Sequence, residues 1–332
     1  MKSGRAALLI LLALGVLLVS LAVVAAQEAG RTFRIGFVGL YSAGTAAPGL
    51  LGYQERLREL GWVEGQNIST IFRWADGETS RAPGLVRSIM KESPDLLVLL
   101  PCPAINTARE LRRDIPIVSR CMDPWQFRQE IATPAHPGGF TTGVTDFSPG
   151  ATRQRLELLK ELVPNLSRVG ALYHPKSSWA AHWHEVEAAA RAAGVGLERI
   201  EWNPWAYPGD AFDIARKRQV DALLTLNDGY AYIIREFIFE LAAQYRIPVL
   251  YDFFMYPQGD EEVGLIAYYA DVYAMFVAFA EQVDQILRGR KPGDIPLALP
   301  QKFRLVINAK AAQALGLTIS PSLRQKADQV IE

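Results

Sequence analysis

An α/β fold of two lobes, each built on a parallel sheet, follows from two features of the sequence. Short apolar runs alternate with helical segments along nearly the whole chain, and the second half repeats the plan of the first. Near-continuous apolar strands separated by helices indicate a sheet covered on both faces. The 332 residues also exceed the roughly 250–300 at which single cores stop growing, so two domains are expected.

The first element stands apart from that fold. Lys2 and Arg5 precede an unbroken apolar run from Ala6 to Ala26, which closes on small residues before the polar "QEAG". This is the layout of a secretory signal, and residues 1–26 are expected to be removed on export to the periplasm. An uncleaved anchor is the alternative, because about 21 residues of helix span roughly 31 Å. No Cys ends the run, which argues against a lipoprotein anchor. No later run is long enough to cross a membrane, so the mature chain is expected to be soluble.

The fold proper opens with "RIGFVGL" (34–40), an apolar strand. A helix is expected from Ala46 to Leu60, stopping at Gly61, a residue that tolerates the left-handed conformation common at helix ends. "NISTIFRW" (67–74) alternates like a strand, a helix follows near Ser80 to Lys91, and "DLLVLL" (95–100) and "IPIVS" (115–119) are further short strands. The second half then matches in order. "RVGALYHP" (168–175) answers the first strand, "ARAAGVGLERIEW" (190–202) answers "LRELGWVEGQNIS" (57–69), and "QVDALLTLND" (219–228) answers "SPDLLVLLPCP" (93–103). Finally "IPVLYDFFMYP" (247–257) answers "IPIVSRCMDP" (115–124). The long period means two duplicated lobes rather than a solenoid.

In open parallel sheets, ligands bind beyond the carboxyl ends of the strands. Two lobes facing each other with those ends enclose a cleft, the expected place for a small molecule. Tyr41, Ser42, Cys102, Asp123, Trp125, Tyr173, Trp179, Asp228, Tyr230 and Tyr251 fall at or just after strand ends and form the candidate site. Aromatic rings there would sandwich a planar or apolar ligand. Asp228 would accept hydrogen bonds from an amine, and Asp123, followed by Pro124, would cap a helix while facing the cleft.

Other chemistries find little support. Lys and Arg total 35 against 35 Asp and Glu, which removes the basic footprint of a nucleic-acid binder. There is no G-x-S-x-G elbow, no G-x-x-x-x-G-K-[ST] phosphate loop and no G-x-G-x-x-G after the first strand, so neither an enzyme nor a cofactor is expected. "HWHEVE" (182–187) lacks the second His of a zincin, because position 188 is Ala, and no metal is expected. The two cysteines, Cys102 and Cys121, each follow an apolar strand of the first lobe. In an oxidising compartment they either pair as a disulfide at the rim of the cleft or stay free.

The C-terminal stretch "ILRGRKPGDIPLALPQKFRLVINAKAAQALGLTISPSL" (286–323), with "ADQVIE" (327–332), resembles the closing signature of a bacterial family of ABC-transporter substrate-binding proteins, the one that includes the tryptophan/tyrosine-type binders. "FRWADG" (72–77), "RLELLKELVPNLSRVGALYHP" (155–175) and "EVEAAARAAGV" (185–195) resemble it at matching places, so the likeness runs from about Arg34 to Glu332. It implies a type I periplasmic-binding fold of two Rossmann-like lobes joined by three hinge crossovers, near Thr142–Gly150, Tyr268–Val272 and Leu299–Lys302. Lobe 1 would then comprise residues 31–145 plus 272–300, and lobe 2 residues 146–271 plus 301–332. The resemblance also implies a monomer that closes on a small organic solute, such as an amino acid or aromatic compound, and delivers it to an ABC permease in the inner membrane.

This chain departs from the family pattern at "LYSAG", "LLPCP" and "SRCMDP", where small or Ser/Pro-rich residues are usual, so the ligand does not follow from the family. A sensor module of the same fold, feeding a membrane receptor or kinase, is the alternative function. A repressor core would need an N-terminal helix-turn-helix, where this chain has the apolar export segment.

Overall fold

The computed structural model describes residues 31–100, 103–121, 132–145, 148, 150–175, 183–203, 207–226, 231, 234–253 and 264–332. Lobe 1 begins with β1 (Phe33–Gly39), α1 (Ala43–Glu59), β2 (Ile68–Trp74), α2 (Ala82–Met90), β3 (Leu96–Leu99), α3 (Pro103–Leu111), β4 (Ile117–Cys121) and β5 (Thr141–Thr145). Its sheet has the order β2-β1-β3-β4-β5 and every pair is parallel. Helix α1 starts at Ala43 rather than Ala46, because its first turn is made of small residues that carry no apolar period. It ends as the sequence suggests, with Gly61 at φ 93°.

The second lobe follows with α4 (Ala151–Leu162), β6 (Arg168–Tyr173), α5 (Trp183–Ala193), β7 (Gly196–Glu201), α6 (Gly209–Lys217), β8 (Ala222–Thr225), α7 (Arg235–Tyr245), β9 (Val249–Tyr251) and β10 (Ile266–Ala270). After α8 (Val272–Leu287) the chain adds β11 (Phe303–Asn308), α9 (Ala309–Ala314), α10 (Pro321–Lys326) and β12 (Gln329–Ile331). Read from β7, the sheet runs β7-β6-β8-β9-β10, then β11 antiparallel to β10, then β12. Its first five strands therefore repeat the order of lobe 1 strand for strand. The likeness reaches individual residues: a Cβ on Gly36 of β1 would lie 2.3 Å from Ile89 and 2.7 Å from Leu97, and one on Gly170 of β6 would lie 2.7 Å from Leu223 and 2.9 Å from Ile200. Both first strands need glycine so that neighbouring side chains can fill the same space.

Each sheet is buried on both faces, as its apolar strands require. In lobe 1, α1 and α8 cover one face, where Phe276, Phe279 and Val283 meet Ile35, Phe37 and Tyr53. The other face packs Val86, Ile89, Ile105 and Ala108 against Val38, Leu97 and Leu99. Helix α8 follows β10 of lobe 2 in sequence but belongs to the lobe 1 core. Polar bonds tie it to the α1 side: Tyr273 donates to Glu55 (2.7 Å), Arg56 pairs with Glu281 (3.0 Å), and the Trp62 indole donates to Asp284 (2.8 Å).

The chain passes between the sheets three times, and the passages are bonded to one another. Val144 at the end of β5 forms a parallel bridge with Ala298. Ala298 donates to the Gly143 carbonyl (2.9 Å), Thr145 donates to that of Ala298 (3.0 Å), and the Thr142 hydroxyl donates to that of Ile295 (2.7 Å). Buried Gln282 donates to the carbonyls of Gly143 (2.8 Å) and Pro296 (3.2 Å). Beyond it, Asp271 donates to the Lys302 carbonyl (2.9 Å) where β10 pairs with β11, and Tyr268 stacks on Phe303 with centroids 5.1 Å apart. Among the described residues no helix is long and apolar enough to cross a membrane.

Gln282→Leu keeps the bulk but removes the donor to the buried Gly143 carbonyl and to that of Pro296. Urea unfolding should show a loss of about 1–3 kcal/mol. A change near zero would mean that Gln282 does not hold the passages together.

Candidate functional site

Strand β1 ends at Gly39, and Tyr41 and Ser42 follow at the start of α1. Tyr41 is half-buried, and it packs against the cluster of lobe 2 that contains Trp202, Tyr251 and Phe253. The carboxyl end of the first strand of lobe 1 thus meets lobe 2 directly.

On the lobe 2 side, the residues just beyond the strands are a mixture of aromatic and buried polar groups. After β6 comes His174, 8% exposed, its ring edge-on to Trp202 with centroids 6.2 Å apart. Trp202, after β7, is buried, and its indole nitrogen has no hydrogen-bond partner. At the ends of β8 and β9, the Thr225 hydroxyl donates to the Asp252 carboxylate (2.9 Å) and accepts from the Asp252 amide (3.1 Å). Asp252 is 3% exposed. Arg155 of α4 is also buried and donates to the Tyr268 carbonyl at 3.0 Å. Burial lowers the Arg155 pKa from its ordinary value, and the Asp252 charge works in the opposite direction. A buried cation is thus within electrostatic reach of a buried carboxylate, whose charge offsets only part of what its desolvation costs.

The matched strands β4 and β9 carry opposite charges near their carboxyl ends. Aligned on their Ile-Pro entries, Ser119 corresponds to Tyr251, and Arg120 to Asp252. Ser119 and Tyr251 are both fully buried; the charged residue next in line is the last but one of β4 in lobe 1 and the first beyond β9 in lobe 2. Arg120 is half-buried.

Of the sequence-predicted site residues, Tyr41 and Ser42 lie between the end of β1 and the start of α1. Tyr173 is 6% exposed and turned into the helix-covered core beside Trp183 (5.2 Å), where its hydroxyl donates to Glu201 (2.8 Å). Tyr251 is 0% exposed, packed edge-on to Phe239 (4.8 Å), and its hydroxyl has no partner. Both are the last residues of their strands, and because both faces of the sheet are covered their rings pack into the core. Cys102, Asp123, Trp125, Trp179, Asp228 and Tyr230 lie outside the described residues, as does the Cys102–Cys121 pairing; Cys121 is the last residue of β4. Arg155, Trp202 and Asp252 were not singled out from the sequence. The repeat alignment carries the signal for Asp252, because it places an acid opposite Arg120.

Comparison with known proteins agrees with this architecture. The model of a family described as ABC transporter substrate binding protein matches residues 47–331. A tyrosine-binding protein of Clostridioides difficile (strain R20291) is 20% identical over 269 residues, covering 80% of this chain and 76% of the relative. Among solved structures, an ABC domain in complex with L-Trp from Streptococcus pneumonia is 26% identical, with a TM-score of 0.75, covering 90% of this chain and all of that one. The ligand-free, open structure of a substrate-binding protein with adhesive properties from Clostridium difficile superimposes with a TM-score of 0.70 at 20% identity, covering 90% of this chain and 99% of that one. The fold is that of the type I periplasmic-binding proteins.

The unpartnered Tyr251 hydroxyl is a stability cost that a single atom removes. Tyr251→Phe should leave the unfolding free energy of the ligand-free protein unchanged or raise it by up to about 1–3 kcal/mol. A clear loss in urea unfolding would mean that the hydroxyl is satisfied in solution.

Proposed function

Because the chain belongs to the ABC transporter substrate-binding protein family, we propose that it captures an amino acid in the cleft between its lobes and delivers it to an inner-membrane permease. The observation that carries this reading is the pair of opposite charges on matched strands. Arg120 of lobe 1 takes the ligand carboxylate, and Asp252 of lobe 2 takes its ammonium group, with Thr225 orienting the carboxylate of Asp252. Tyr41 and Trp202 flank the side chain, which suits an aromatic amino acid. The L-Trp complex and the tyrosine-binding relative support that class of ligand.

Ser42, Cys102, Asp123 and Trp125 complete the wall of lobe 1, and Trp179, Asp228 and Tyr230 that of lobe 2. Tyr173 and Tyr251 serve as buried support behind the wall. The lobes, divided as residues 31–145 plus 272–300 and 146–271 plus 301–332, close on the ligand about the bonded passages. The permease then recognises the closed state, whose population the ligand raises by binding it better than the open one. Residues 1–26 direct export and are removed, and the protein works in the periplasm as a monomer.

Thermal melting against a panel of amino acids, aromatic acids, sugars and purines tests the ligand class. A ligand present at 100 times its dissociation constant adds about 2.7 kcal/mol, a shift of several degrees. Aromatic amino acids should give the largest shift, and a sugar or purine hit would overturn the assignment. Asp252→Asn retains the acceptor for Thr225 and removes the charge. Calorimetry should then show affinity for the amino acid weakened at least tenfold, about 1.4 kcal/mol, and unchanged affinity would rule out Asp252 as the ammonium partner.

A further inference from the structure

Helix α4 carries Leu156, Leu159 and Leu162 into the lobe 2 core, and one charged residue goes in with them. Arg155 is 5% exposed, and its Nε donates to the Tyr268 carbonyl of β10 at 3.0 Å. A guanidinium has five N–H donors, of which that bond uses one. The others, on its two Nη atoms, bond to none of the described residues. An arginine buried with most of its donors unanswered costs stability, and an apolar side chain at the same place on α4 would avoid that cost.

The sheet register places these donors near the end of β9. Tyr251, the last residue of β9, pairs with Ala267 of β10, so the next residues in line are Asp252 and Tyr268, the one whose carbonyl holds Arg155. Neighbouring strands lie about 4.8 Å apart, which brings the guanidinium beside the Asp252 position. Thr225, at the end of β8, already bonds the Asp252 carboxylate. The Trp202 indole nitrogen and the Tyr251 hydroxyl are sealed off without a partner, but the Nη atoms of Arg155 keep accessible surface. Space beyond the carboxyl ends of parallel strands is where ligands bind in open α/β sheets.

Given amino-acid capture in the cleft, on which this inference rests, we propose that Arg155 is the lobe 2 anchor for the ligand carboxylate and restricts the site to ligands with an acid and an amine on one carbon. While the lobes are open, the two Nη atoms of Arg155 donate to both carboxylate oxygens, and Asp252 beside it accepts from the ammonium group. Arg120 of lobe 1 reaches the same carboxylate only when the lobes close, so lobe 2 binds first and the shared carboxylate favours the closed state. An α-amino acid suits two neighbouring side chains of opposite charge because its own charges are neighbours. An amine without the acid leaves Arg155 unanswered, and an acid without the amine leaves Asp252 so. Water bound to the Nη atoms is the competing occupant.

Calorimetric titration with L-tryptophan and tryptamine, and with L-tyrosine and tyramine, separates these cases, because each amine keeps the ring and the ammonium group and lacks only the carboxylate. The wild type should bind the amino acid at least tenfold more tightly than its amine. Arg155→Lys keeps the charge without the two-pronged geometry, and Arg155→Gln removes the charge as well. Each should weaken the amino acid at least tenfold and leave the amine unchanged, so that the preference disappears. Asp252→Asn should instead weaken both compounds. An arginine that is only structural, or answered only by water, would affect amino acid and amine alike or neither, and either result overturns the proposal. Binding that depends on Asp252 but keeps its preference for the amino acid in both Arg155 variants overturns it too, and leaves amino-acid capture standing. Failure of the wild type to bind any amino acid overturns both.

Discussion

The hydrogen bonds that join the departing segment Ile295–Ala298 to the end of β5 tie together the two places where the chain leaves lobe 1 for lobe 2. Gly143 accepts from both Ala298 and the Gln282 side chain, so one backbone carbonyl connects the two passages that leave lobe 1 with a helix of its core. Space is as short there as bonding is dense: a Cβ on Gly143 would lie 1.8 Å from the Ser119 carbonyl oxygen. The second and third passages are likewise paired through Asp271 and Lys302. The three segments that pass between the lobes thus lie bonded side by side, the first and the second each to the third. Tyr41, just beyond β1, packs against the lobe 2 cluster.

Much of this fold was legible in the sequence, because duplication wrote the same information twice. The four matched stretches identified equivalent strands, and the sheet orders agree with that matching. The cleft was less legible. Periodicity tells which residues share a face of a strand, but not where the strand stops, and one residue decides between core and cleft. Tyr173 and Tyr251 are the last residues of their strands and are buried in the lobe 2 core. Asp252, one step further, joins Thr225 in a polar cluster. Arg155 was hidden for another reason: it lies on a helix otherwise lined by Leu156, Leu159 and Leu162, and only the fold brings it to the Tyr268 carbonyl and within reach of the Asp252 charge.

The lobes share a plan but not a finish. Lobe 2 extends its sheet with β11, antiparallel to β10, and with β12, whereas lobe 1 has only the parallel five. Lobe 1 instead receives α8 on the face that carries Ile35, Phe37 and Tyr53. Each lobe thus depends on a segment that lies beyond the other in the chain, so neither is covalently self-contained even though each has its own core.

That interleaving governs the order in which the protein can be assembled as it emerges from the N-terminus. When residues up to Thr145 are available, the parallel sheet of lobe 1 has its strands, but Ile35, Phe37 and Tyr53 still lack the rings of Phe276 and Phe279. Strands β6 to β10 appear before α8 does, so lobe 2 gains most of its sheet while lobe 1 waits with an uncovered apolar face. Domains that fold as they are made usually finish the N-terminal one first. Here the N-terminal lobe cannot close before α8 arrives, and lobe 2 still waits for Leu305, Ile307 and Leu323 after that, so the chain must remain protected from its own stickiness until almost its end.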